Sequence, residues 1–278
     1  MTVHTLQSLI STGGVQSAIQ RASHKTGVDF TYLLGQAQVE SSLRPDAKAP
    51  TSSASGLYQF IEQSWLGTVK KHGAEHGLGW AAERISQGPS GRYYVSDTAS
   101  RQYILKLRNN PEIASLMAAE HAADNKAELE GALGREAGAA DLYMAHFLGI
   151  GGAKKFLSTL QRNPAAAAAQ LFPTAAASNR GIFFGEGGRM RSVSEIYDRF
   201  ATKLQKGAEL AAGGKALPPL AAPGKADAAY QLAVIEQDDR PETATLDQLL
   251  ASADRPNMLR PTPDNAKLAY MLLASMGA

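Results

Sequence analysis

Glu40 is the residue whose placement most invites chemistry. It lies seven positions after Leu33, on a segment where Phe30, Leu33, Leu34 and Ala37 recur at helical spacing. Seven residues of helix miss two whole turns by only about 20°, so Glu40 projects from the same apolar stripe as Leu33. Burial opposes ionisation of a carboxyl. In the last turn of a helix, the negative end of the macrodipole opposes it too. Both effects predict that Glu40 keeps its proton near neutral pH, as a general acid for glycosidic cleavage must. The competing arrangement is a carboxylate that turns outward or pairs with Arg44.

A second group follows at short range. Ser52, Ser53, Ala54, Ser55 and Gly56 are small and lead into Leu57, Tyr58, Gln59 and Phe60. Small residues let a sugar approach the backbone, whose N–H and C=O groups can bond an N-acetyl group. Tyr58 would add a stacking ring and Gln59 an amide. The plainer reading is a turn before the helix that carries Trp65, Leu66 and Val69.

Other candidates weigh less. Glu120 follows Ile113, Leu116 and Met117 on an apolar stripe, as a second catalytic carboxylate or as a structural acid holding a loop or an Arg. The structural role is the expectation. Asp46 and Glu62 are expected in solvent. His72 and His76 stand four apart, as metal ligands can, but Gly73 and Gly77 break that helix and no third ligand is evident, so both read as surface histidines and no metal is expected. His146 reads as a satisfied core histidine, and Phe183 and Phe184 as core aromatics. With no cysteine in the chain, thiol nucleophiles, zinc–thiolate sites and disulfides are excluded. No phosphate loop, nucleophile elbow or dinucleotide fingerprint is present, so no cofactor is expected.

The elements that must position these residues are helices. Besides the Glu40 segment, apolar quartets at helical spacing occur at Val15–Ala22, Ile113–Glu120, Tyr143–Ile150, Ala153–Leu160 and Val193–Phe200. Asp29 is placed to cap the Glu40 helix, and Pro45 discourages helix at Arg44. A further helix is expected over residues 165–171, with Asn163 as cap and Pro164 at its first position. Loops are expected over 47–56, 87–95 and 174–189. Alternating strand patterns are nearly lacking, so the fold class is all-α. The expected organisation is a catalytic domain over residues 1–206, an Ala/Gly/Pro linker over 207–229, and a polar extension over 230–278 that is disordered or docks on a protein partner.

Glu40-Ser41-Ser42-Leu43 resembles the Glu-Ser motif of the soluble lytic transglycosylase family, whose fold is related to goose-type lysozyme. Gly56-Leu57-Tyr58-Gln59-Phe60 is similar to its second motif, Gly-Leu-Met-Gln, with Tyr58 in place of the common Met. Asp141 to Gly149, with Tyr143 on a helix before a glycine turn, is similar to a third family element. The resemblance implies a lysozyme-like helical domain acting on peptidoglycan. Glu40 would protonate the leaving oxygen at the β-1,4 bond between N-acetylmuramic acid and N-acetylglucosamine. It would then take the proton of the muramoyl C6 hydroxyl as a 1,6-anhydro ring closes. It further implies that Ser41 and Ser55 help position the acid and the sugar, that Gly56, Tyr58 and Gln59 serve sugar binding, and that Tyr143 belongs to the same substrate site, orienting Glu40 or the anhydro-forming centre. Alternatives within this reading are lysozyme-like hydrolysis and a non-catalytic glycan-binding scaffold. If catalysis resides in residues 1–206, it is expected to survive a cut after Lys206.

Lys and Arg number 28 against 26 Asp and Glu. That balance is too even for a nucleic-acid binder working by charge. No apolar run approaches bilayer length, and residues 1–14 lack the pattern of a secretory signal. Periplasmic or otherwise exported location is expected from the implied substrate alone.

Overall fold

The computed structural model describes residues 3–49, 52–215, 217 and 220. The expected 230–278 extension and nearly all of the linker beyond residue 215 lie outside the described residues. The fold is all-α. The longer helices are α1 (Val3–Thr26), α2 (Phe30–Ser41), α3 (Glu62–His72), α5 (Thr98–Lys106), α6 (Pro111–Leu133), α7 (Ala139–Arg162) and α11 (Val193–Ala211). Short helices α4 (Gly79–Arg84), α8 (Ala168–Leu171), α9 (Pro173–Ser178) and α10 (Arg180–Phe183) fill the connections. One two-stranded antiparallel ribbon, β1 (Ser86–Gln87) with β2 (Tyr93–Tyr94), replaces part of the loop expected over 87–95. None of the described helices is long and apolar enough to cross a membrane.

The helix bearing Glu40 is central. Asp29 caps α2 as expected, its carboxylate accepting from the Tyr32 N–H at 2.6 Å. One side of α2 packs against α1 and α6, and the other lies along α11. The approach of α11 is close because glycines meet there. A Cβ on Gly35 would stand 2.6 Å from the Leu204 carbonyl oxygen, and one on Gly207 would stand 3.1 Å from the Gly35 oxygen. Leu33, Leu34, Ile196, Leu204 and Ala208 fill the space around this crossing.

Three local expectations are corrected. α11 does not stop at Lys206 but runs to Ala211, with Gly207, Ala208 and Ala211 buried, because small residues suit a close helix crossing as well as a linker. The helix expected over 165–171 forms only at Ala168–Leu171, after a turn; α7 ends at Arg162, and Pro164 lies in that turn. The loop expected over 174–189 contains α9, α10 and a 3-10 turn.

Candidate active site

α2 ends abruptly one residue after Glu40. Ser42 and Leu43 both adopt left-handed backbone, with φ of 54° and 58°, and the chain doubles back. Gln59, at φ 48°, is the remaining non-glycine residue with positive φ among those described. All three flank Glu40 in sequence or in space, and such strain persists only where surrounding structure enforces it.

The enforcing structure is the loop over 52–60. The Ser41 hydroxyl lies 2.8 Å from the Leu57 carbonyl oxygen, tying loop to helix. The Gln59 amide donates to the Gly56 and Ala47 carbonyls at 2.8 and 3.1 Å. From behind, the Arg108 guanidinium donates to the Ser53 and Phe60 carbonyls at 2.6 and 2.9 Å. The Ser55 hydroxyl donates to Asn109 Oδ1 at 2.8 Å. Gly56, at φ 83°, packs so tightly on Arg108 that a Cβ there would fall 2.0 Å from its carbonyl oxygen.

Helix and loop together form one wall of a groove of about 820 Å³, whose other walls come from α6, α7 and residues 171–179. That volume lies in the range of small-ligand sites. Glu40, Tyr58, Gln59 and Tyr143 line it. Ser41, Ser55 and Gly56 do not; they stand behind the wall and set its shape, since their polar groups are spent on backbone or on Asn109. Two buried polar atoms of the wall have no hydrogen-bond partner: Gln59 Oε1 and the Tyr58 hydroxyl, which faces Ser115 without reaching bonding geometry.

Glu40 is 5% exposed and is the one carboxylate among the described residues lining the groove. Two groups of α7 reach its Oε1: the Tyr143 hydroxyl donates at 3.2 Å, and His146 Nε2 lies 3.2 Å away. Both come from the half of α7 that precedes a break at Gly149, where φ is 69° and ψ 164°. Asp141 anchors the start of that half: it is fully buried and accepts from Arg135, the Gly138 N–H and the Tyr197 hydroxyl.

The expectation that Glu40 retains its proton is overturned. Burial does push the carboxyl up, but the charge and hydrogen bond of His146, with Lys203 and the Tyr143 hydroxyl, outweigh it and hold it below its ordinary 4.5. Burial pushes His146 down, and the charge and hydrogen bond of Glu40 carry it above its ordinary 6.5. Across this 3.2 Å contact each group favours the charged form of the other, between a buried carboxylate and an imidazole that is 26% exposed. The helix stripe revealed the burial of Glu40 but not the charge waiting on another helix.

His146 is the functional candidate that the sequence reading missed. Its signal was the three-residue step from Tyr143, which puts both side chains on one face of α7. His121 was missed as well. It lines the groove beside Phe60, and burial, then the charge of His146, pushes it down to about 4. It lies four residues after the buried Met117, on the same helical stripe.

The remaining candidates divide. Glu120 does not line the groove; its Oε1 lies 2.7 Å from His76 Nε2, so its partner is a histidine and not the loop or arginine expected. His72 and His76 are not surface residues. The His76 side chain is 4% exposed and that of His72 12%, because the turn after α3 folds them onto α6. Asp46 is exposed, whereas Glu62 forms a two-pronged pair with Arg101 instead of standing in solvent. Phe183 is fully buried against Phe147, and neither it nor Phe184 lines the groove. No family model matches the chain.

Proposed function

We propose that this chain is a lytic transglycosylase. It cleaves the β-1,4 bond between N-acetylmuramic acid and N-acetylglucosamine in peptidoglycan and leaves 1,6-anhydromuramoyl ends. The observation that carries the reading is a single buried carboxylate, Glu40, in a sugar-sized groove, touched by two donors and flanked by the loop over 52–60. Hydrolytic pairs place two carboxylates about 5–10 Å apart across the bond. Here the rival, Glu120, is turned away to His76.

The pair of Glu40 and His146 holds one transferable proton. A glycan filling the groove expels water, and in a drier site a buried ion pair loses ground to its neutral form. The proton then passes from His146 Nε2 to Glu40, and from Glu40 to the leaving oxygen as the C1–O bond breaks. The substrate's acetamido group stabilises the positive centre. The C6 oxygen closes on C1 and its proton goes to Glu40, so no water is consumed. Activity on peptidoglycan places the site of action outside the cytoplasmic membrane.

The test is digestion of purified sacculi with mass analysis of the released muropeptides. Products lighter by one water than the hydrolytic ones are expected; reducing ends would instead identify a lysozyme-like hydrolase. Glu40→Gln should lower turnover by at least about 100-fold with circular dichroism unchanged. Full activity in that variant would remove Glu40 from the mechanism.

A further inference from the structure

We propose that His72, Glu75 and Glu120 form a binding site for a divalent transition metal of the zinc type, which clamps the turn after α3 onto α6. This site lies outside the groove and does not rest on the function proposed above.

α3 ends at His72 and passes into a 3-10 turn over Gly73–His76. With three residues per turn, positions three apart eclipse, which brings Glu75 alongside His72. The facing surface of α6 supplies Glu120 and, one turn later, Asp124. One ligand atom each from His72, Glu75 and Glu120 lies within 4.8 Å of the others. His72 Nδ1 is 3.5 Å from Glu120 Oε2, and ligands held about 2.0–2.2 Å from a tetrahedral zinc stand about 3.3–3.5 Å from one another.

The surroundings are those of a ligating histidine. His72 Nε2 lies 2.9 Å from Asp124 Oδ2, and Lys71 holds the other Asp124 oxygen at 2.6 Å. An Nε2–H donated to Asp124 fixes the tautomer in which Nδ1 carries a lone pair, on the nitrogen that lies 3.5 Å from Glu120 Oε2. Such a carboxylate–histidine arrangement is the usual support of a metal-bound imidazole. His76, at 2.7 Å from Glu120 Oε1, occupies the second oxygen and leaves Oε2 for the metal. One imidazole nitrogen with carboxylate oxygens selects zinc, cobalt or nickel over calcium or magnesium. The alternative is a His72 ring that bridges Asp124 and Glu120 directly, with no metal.

The experiment uses the full chain stripped with chelator and titrated calorimetrically with Zn²⁺ alone. One zinc per chain is expected, together with a rise in melting temperature and, with Co²⁺, visible absorption. Glu75→Gln, an exposed change that spares the fold, should weaken zinc binding at least tenfold. Asp124→Asn should weaken it about 10–100-fold, and Glu40→Gln should leave it intact. Absence of saturable zinc binding, or binding that Glu75→Gln and Asp124→Asn leave untouched, would overturn the proposal.

Discussion

His146 Nε2 and Glu40 Oε1 lie 3.2 Å apart, on the lining of a groove that holds no other described carboxylate. Each stabilises the charged form of the other against burial. This relationship, more than the burial of Glu40 by itself, sets the protonation of the site. Two ionisable groups this close titrate as a unit, so the values seen in rate profiles belong to the pair.

The pH dependence of folding follows from the directions. Glu40 is lowered on folding, so its contribution is present above 4.5 and lost as pH falls through the lowered value. His146 is raised, so its contribution is present below 6.5 and lost as pH rises through the raised value. Stability from the pair should therefore be greatest between these limits. In His146→Gln the alkaline loss should disappear, and the alkaline limb of kcat/KM should move to the titration of Glu40 itself, now pushed up by burial. Melting curves and rate profiles across pH check both; superimposable wild-type and variant profiles would remove His146 from the mechanism.

Tyr143 can be tested without disturbing packing. Its ring stacks edge-on to Phe200, with centroids 5.1 Å apart, and Phe would keep that contact. What Tyr143→Phe removes is the donor to Glu40 Oε1. A hydrogen bond to a charged group contributes about 1.5–3 kcal/mol, so kcat should fall about 10–100-fold. KM should change little, because the lost bond is to Glu40, the proposed acid, and not to substrate. Steady-state kinetics on soluble glycan fragments separate the two parameters.

Much of this arrangement was legible in the sequence, for a definable reason. Helical periodicity reports which face of one helix is buried, and it placed Leu33, Ala37 and Glu40 together. It does not report what another helix brings to that face. His146 and Lys203 come from α7 and α11, so the sign of the Glu40 shift was beyond reach. The end of α11 was misread for a related reason. Gly207, Ala208 and Ala211 have the composition of a linker, and only the facing Gly35 shows that smallness here serves contact. His72 and His76 were misplaced because the carboxylates that hold them, Asp124 and Glu120, lie on a helix remote in sequence.

Gly56 carries the clearest prediction about the loop. Its φ of 83° is unfavourable for any side chain, and the space a Cβ needs is taken by the Arg108 carbonyl. Left-handed backbone costs a non-glycine residue about 1–2 kcal/mol, and overpacking adds about 1–3 kcal/mol. Gly56→Ala should thus destabilise the fold by about 2–5 kcal/mol. It should also lower activity in conditions where the chain is still folded, because Gln59 is held by the Gly56 carbonyl. Urea unfolding gives the first quantity and glycan cleavage the second; a midpoint equal to wild type would show that the loop relaxes at no cost.

The boundary of the folded unit can be located by truncation. A chain ending at Lys206 loses Gly207, Ala208 and Ala211 from the face of α11 that covers α2. It also loses the Ala211 carbonyl that accepts from Gln16 Nε2. A chain ending at Leu220 keeps these, and keeps the bond from the Leu220 N–H to Gln205 Oε1 at 2.9 Å. The expectation that catalysis survives a cut after Lys206 therefore gives way to a different one. The shorter chain should lose about 2–4 kcal/mol, seen as a fall of about 4–16 °C in Tm for a chain of this size. Its activity should fail at a correspondingly lower temperature, because α2 carries Glu40, the proposed acid. The longer truncation should match the full chain in both. Equal melting of the two truncations would place the end of the cooperative unit before Gly207 and reduce the last turn of α11 to an ornament on the surface.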